Sequence, residues 1–237
     1  FNDLGTEYPF TPKKLKLKNG HRISYVDEGQ GPVIVMLHGN PTWSYYYRNL
    51  IKHFSPTHRV IVPDHLGMGL SDQPQDFEYQ LHQHVAHVEE LLDSLSIDKF
   101  SLIVHDWGGA IGFGVATLRP ESIEKAVILN TAAFNAGEWI PRRISLCRAP
   151  IFGEPLVRGL NGFALPATFM TTVKPLPKHI RKAYLAPYKD WKSRIAVSRF
   201  VQDIPLNKSH PSYETLAAIE SALPALDFPK LIIWGDK

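Results

Sequence analysis

Two hydrophobic periodicities alternate over the first half of the chain. Short, continuous apolar runs at residues 33–38, 60–64, 101–106 and 126–130 are bounded by turn residues, the pattern of parallel strands buried on both faces. Between them lie helical stretches such as residues 83–95, where Val85, Val88, Leu91, Leu92 and Leu95 recur at helical spacing. Ahead of these, residues 14–18 and 22–27 read as two strands, with Asn19-Gly20 as the hairpin turn. Such alternation predicts an α/β fold with a mostly parallel, doubly wound sheet. From about Thr131 to Pro211 the strand signal stops. Prolines and aromatics recur there, and the segment reads as short helices joined by turns. Residues 213–223 then read as a helix and residues 230–234 as a further buried strand. The expected organisation is a core over 1–133, a helical insertion over 134–212 and a continuation of the core over 213–237.

Composition sets limits on this picture. With 237 residues, 44% of them apolar, the chain can bury a sizeable core. A net charge of +3 is too small to point to nucleic acid. No stretch approaches the roughly 20 apolar residues of a membrane-spanning helix. The single cysteine, Cys147, rules out an intrachain disulfide and suits a reducing, cytoplasmic setting. The charge is unevenly spread: between Glu138 and Lys208, thirteen Lys and Arg stand against four Asp and Glu. A solvated basic outer face would explain that excess, and so would attraction for an anionic substrate or an acidic partner.

The strongest chemical signal is Val104-His105-Asp106-Trp107-Gly108-Gly109. An apolar run ends there and a helical pattern begins, so Asp106 sits at the apex of a strand–turn–helix. A serine at such an apex performs acyl transfer. A carboxylate can instead displace a leaving group from carbon and form an ester. The second signal, His38-Gly39-Asn40-Pro41-Thr42-Trp43, follows the strand that starts at Val33. Ligands of open parallel sheets bind beyond the carboxyl ends of strands, where both motifs lie. Asn40 and Trp107 add an amide and an indole N–H, uncharged donors suited to a departing anion. Gly67-Met68-Gly69 lacks the third glycine of a dinucleotide fingerprint, and Pro74 falls where its helix would run, so it reads as a tight loop. This chemistry calls for no cofactor and no metal.

Together with Asp64-His65-Leu66-Gly67-Met68-Gly69-Leu70-Ser71-Asp72, these motifs resemble the haloalkane dehalogenase family of α/β-hydrolases from about Tyr8 onward. The resemblance implies an α/β-hydrolase fold with an inserted helical cap. It also implies Asp106 as nucleophile, Asn40 and Trp107 as the pair stabilising a halide or oxyanion, and a small apolar substrate. Phe134 and Trp139 are expected to line the substrate pocket. In that family a histidine base, oriented by a second carboxylate, lets water hydrolyse the ester. Here Asn130 stands where one branch carries the acid, Asp236 reads as a turn residue, His179 as a surface residue and His210 as a loop residue. The acid, the base and a C-terminal strand and helix are therefore expected beyond Lys237. The 237-residue chain is accordingly expected to form the ester without turning it over.

Asn130-Thr131-Ala132-Ala133-Phe134, and the cap stretches around Leu146-Cys147-Arg148 and Val157-Arg158-Gly159-Leu160-Asn161, resemble a particular branch. It holds the third dehalogenase subfamily and the β-lactone decarboxylases of bacterial olefin biosynthesis, which open an alkyl β-lactone and release an alkene and CO2. Halides and oxyanions suit the same donors, so haloalkane and β-lactone both stay open. Two further alternatives are an epoxide hydrolase using Tyr184 and Tyr188 as proton donors, and a non-catalytic ligand binder on the same fold.

Overall fold

The computed structural model describes residues 5–135, 137 and 140–235. The apolar runs form the strands that their branched and aromatic content favours. These are β1 (Lys13–Lys16), β2 (Arg22–Glu28), β3 (Val33–Leu37), β4 (Arg59–Pro63), β5 (Phe100–His105), β6 (Ile123–Leu129) and β7 (Lys230–Ile233). They join in one sheet of order β1-β2-β4-β3-β5-β6-β7. The β1–β2 hairpin and the β2–β4 pair are antiparallel. The β4–β3–β5–β6–β7 portion is parallel throughout, as the alternating pattern predicts.

The crossovers are α1 (Arg48–Phe54), α2 (Leu81–Ser94) and α3 (Trp107–Leu118). Between β6 and the helix α8 (Tyr213–Ala222), the described chain contains four short α-helices and no strand: α4 (Arg142–Arg148), α5 (Ala164–Met170), α6 (Lys178–Leu185) and α7 (Ile195–Gln202). Among the described residues no helix is long and apolar enough to cross a membrane.

Alternation along the strands splits the core into two layers. Val35, Leu37, Ile61, Leu102 and Val104 face α2, α3, α7 and α8. Ile34, Met36, Val60, Val62 and Ile103 face the turn at 44–47, α1 and α6. A smaller cluster, with Cys147, Val157, Ala164, Tyr188, Val197 and Val201, knits the short helices together.

One strand departs from the expected pattern. β6 begins at Ile123 rather than Ala126: Ile123 pairs with Phe100 and Lys125 with Ser101, and Glu124 is the extra residue of a register irregularity between them. β7 forms where expected; among the described residues it pairs with β6 alone, and Leu231, Ile232 and Ile233 are exposed.

Candidate active site

The centre of the sheet creates the site. β5 is paired on both sides, by β3 and β6, so the backbone entering Asp106 is fixed. The chain reverses into α3 within one residue, and Asp106 takes φ 53° and ψ −129°. For a non-glycine residue that conformation costs on the order of 1–3 kcal/mol. The surroundings hold it. The amide of Gly109 donates to the Asp106 carbonyl at 2.9 Å, and the Thr131 hydroxyl donates to the same oxygen. The Asp106 amide donates to Asn130 O at 3.2 Å. Two glycines make the approach possible: a Cβ at Gly108 would strike the Leu37 carbonyl, and one at Gly39 would strike the Asp106 carboxyl group.

The loop after β3 meets this apex. The Asn40 amide N–H donates to Asp106 Oδ1 at 2.7 Å. The Asn40 side chain was expected to face a departing anion. Part of it is engaged elsewhere: Nδ2 donates to Val197 O at 3.0 Å, leaving its second N–H, while Oδ1 is buried without a partner among the described residues. Trp107 packs edge-on against Phe200, with centroids 5.4 Å apart. Both donors are thus buttressed by α7, more than ninety positions later in the chain. Val197 and Phe200 are positioning residues that the sequence reading missed. Their signal was the apolar spacing of α7, which reads only as core.

Buried histidines brace the same loop. The amide of His65 donates to His38 Nε2 at 3.1 Å, so His38 carries its proton on Nδ1, 2.9 Å from Gly39 O. In return His65 Nε2 donates to His38 O at 2.9 Å. Burial holds His65 down at about 4 and His38 well below the ordinary imidazole range, so both are neutral clamps near neutral pH. Asp64 extends the brace by accepting the amides of Ser44 at 2.7 Å and Leu70 at 2.9 Å. Burial pushes its carboxyl up to about 6.

The remaining candidates lie elsewhere. His179 is exposed on α6, 3.9 Å from Glu7. His210 sits in a loop, 3.1 Å from Gln202 O. Neither has a bond to Asp106. α6 stops at Leu185 ahead of Pro187, so Tyr184 and Tyr188 do not share a helix. The Tyr184 hydroxyl accepts from Arg48, and the Tyr188 hydroxyl donates to Thr42 O, so neither phenol bonds to Asp106. Asn130 accepts the Gly235 amide at 3.3 Å and ties the end of β7 to that of β6. Phe134 is half-exposed and joins none of the buried clusters. Trp139 and Asp236 lie outside the described residues. Among the described residues no group of three or more His, Cys, Asp or Glu could hold a metal ion.

A family model described as alpha/beta hydrolase fold matches residues 32–237. The chain belongs to the α/β-hydrolase family. This α/β-hydrolase is 45% identical to a cis-3-alkyl-4-alkyloxetan-2-one decarboxylase of Shewanella oneidensis, over 98% of its own length and 75% of the relative's. It is 32% identical to haloalkane dehalogenase 2 of Mycobacterium bovis, over 97% and 79% of the two chains. Its fold superposes on the crystal structure of the haloalkane dehalogenase DbeA from Bradyrhizobium elkani with a TM-score of 0.85, at 26% identity, covering 95% of this chain and 80% of that one. The fold is that of a haloalkane dehalogenase-like hydrolase, and the relatives of this α/β-hydrolase are enzymes.

Proposed function

We propose that Asp106 displaces a leaving group from an alkyl carbon and forms a covalent ester. The observation that supports this most is the asymmetric carboxylate at the elbow: Oδ1 is engaged by the Asn40 amide, which leaves Oδ2 to attack. The departing anion is received by the remaining Asn40 side-chain N–H and the Trp107 indole N–H, donors that α7 holds in place before the reaction. The helical segment, residues 134–212, acts as the cap, with Phe134 and Trp139 assigned to the pocket for a small apolar substrate. A cytoplasmic setting fits a chain whose one thiol, Cys147, is free and buried.

Two leaving groups fit the same donors. With a haloalkane, the carbon–halogen bond breaks, halide leaves, and the alkyl ester then needs water and a base to regenerate Asp106. With a dialkyl β-lactone, Oδ2 attacks the ring carbon that bears oxygen, and the C–O bond electrons pass to the leaving carboxylate. That carboxylate then loses CO2, its electron pair forms the alkene, and the ester C–O bond breaks to return Asp106. The lactone route consumes neither water nor base. Similarity favours it, since relatives at 45% and 42% identity carry the decarboxylase name, against 32% for the Mycobacterium bovis dehalogenase. The committed phenols of Tyr184 and Tyr188 speak against epoxide opening.

Incubation with a 1-bromoalkane and, separately, with a cis-3,4-dialkyl-oxetan-2-one tests the proposal. Halide release matched by an alkyl adduct on the protein assigns displacement from a haloalkane, and alkene with CO2 assigns the decarboxylase arm. Absence of both products and of any covalent adduct defeats the displacement reading. Asn40→Ala is expected to lower kcat/KM for the active substrate about a hundredfold, because it removes a side-chain donor to the leaving anion.

A further inference from the structure

The basic helical segment has a use that the reaction does not absorb. Fifteen large apolar side chains are exposed among the described residues, and eight of them fall between Leu146 and Val173. Ile151, Phe152, Leu160 and Val173 are each 70–81% exposed. They are not strays from a poorly packed region, because the same short helices bury Cys147, Val157 and Ala164 in a cluster of their own. The helix α5 shows the two faces directly: Ala164 and Thr168, one turn apart, are buried, while Leu165 and Phe169, also one turn apart, are exposed. A helix apolar all round normally lies inside a protein, yet this one lies at the surface. Residues 159–173 contain no Asp, Glu, Lys, Arg or His.

Cations border this uncharged surface in sequence. Arg142 and Arg143 precede it, and Lys174, Lys178 and Lys182 follow it, all exposed. None of the five lies within ion-pair distance of a carboxylate among the described residues. The guanidinium of Arg181 sits 4.4 Å over the Phe169 ring, which joins the basic and apolar parts in space. Exposed apolar side chains beside unpaired cations match the interface of an anionic bilayer, where aliphatic and aromatic groups enter the acyl boundary and Lys and Arg meet phosphate headgroups.

We propose that the surface formed by residues 142–182 docks this protein on anionic lipid. The charge complement decides between occupants. A second copy of this chain would bring the same cations against themselves, whereas phosphate headgroups neutralise them. The inference stands apart from the identity of the substrate, so failure of one leaves the other intact.

Co-sedimentation of the purified protein with vesicles tests it, comparing pure phosphatidylcholine with equal parts phosphatidylcholine and phosphatidylglycerol. Binding is expected to the mixed vesicles, to weaken with added salt, and to be slight on phosphatidylcholine alone. Each cation removed lowers partitioning about fivefold, so Lys174→Glu with Lys178→Glu should reduce it about twenty-five-fold or more. Ile151→Ser with Phe152→Ser should reduce it about tenfold or more. Both pairs are exposed, so urea midpoints should stay at the parent value. Failure to bind mixed vesicles, or binding indifferent to both double variants and to salt, overturns the proposal. So does size-exclusion chromatography in which the parent is an oligomer, the double variants are monomers, and none of them binds vesicles, because the surface would then belong to a protein interface.

Discussion

Asp106→Asn abolishes product formation from whichever substrate the parent consumes, with an expected fall in kcat of about ten-thousandfold or more. The amide is nearly isosteric with the carboxylate. Its oxygen can still accept the Asn40 amide now 2.7 Å from Oδ1, so the elbow and the loop after β3 keep their geometry. What disappears is the second anionic oxygen, the proposed attacking atom. Intact-mass analysis gives an independent readout: the parent incubated with a 1-bromoalkane gains the mass of one alkyl group, and the variant gains none. Under the alternative of a non-catalytic binder, the variant would retain ligand affinity and the parent would show neither product nor adduct. Turnover by Asp106→Asn within tenfold of the parent would refute a nucleophilic role for this residue.

Acidification produces the second large effect. The core contains four histidines that fold in the neutral form. Burial holds His65 and His87 down at about 4, and holds His38 and His84 well below the usual imidazole value. His84 lies 4.4 Å from the Phe200 ring centroid, with both ring nitrogens buried and unpartnered among the described residues. Above pH 6.5 these imidazoles are neutral in both states and stability is full. As pH falls from 6.5 towards 4 the unfolded chain takes up protons first, so stability is lost.

Two carboxyl groups oppose the trend. Burial raises Asp64 to about 6 and Asp203 to about 7, so below those values the folded state takes up their protons first and gains stability. Histidines shifted down outnumber carboxyls shifted up, with His105 and His210 adding to the first group, so unfolding takes up protons on balance and stability falls as pH falls. A typical domain has only about 5–15 kcal/mol to lose. The urea midpoint should therefore drop sharply between about pH 7 and pH 5, and His84→Leu should make the slope shallower by about one proton. A midpoint that holds or rises on acidification would contradict this account.

Several of these residues were legible in the chain, and others were not. The mostly parallel sheet and the hairpin ahead of it follow from local signals, apolar runs separated by helical spacing and Asn19-Gly20, whereas the order of the strands is set by tertiary pairing. The apex at Asp106 was visible because an apolar strand runs straight into a glycine-rich helix with no room for a longer turn. β6 starts three residues ahead of its apolar run, because Lys125 is polar and Glu124 lies in a register irregularity that only the pairing with β5 reveals.

The same division runs through the site. The sequence by itself determined the chemical inventory: a carboxylate at a strand–helix apex, an amide and an indole beside it, and glycines where the backbone must pass closely. These features are local, set by neighbours a few residues apart. Only the tertiary structure decided how that inventory is held. Asn40 is anchored by a carbonyl of α7, Trp107 packs on Phe200, and His38 and His65 fix each other's protons. Those pairings join segments 27 to 157 positions apart. Packing selects such partners, and no periodicity along the chain encodes them.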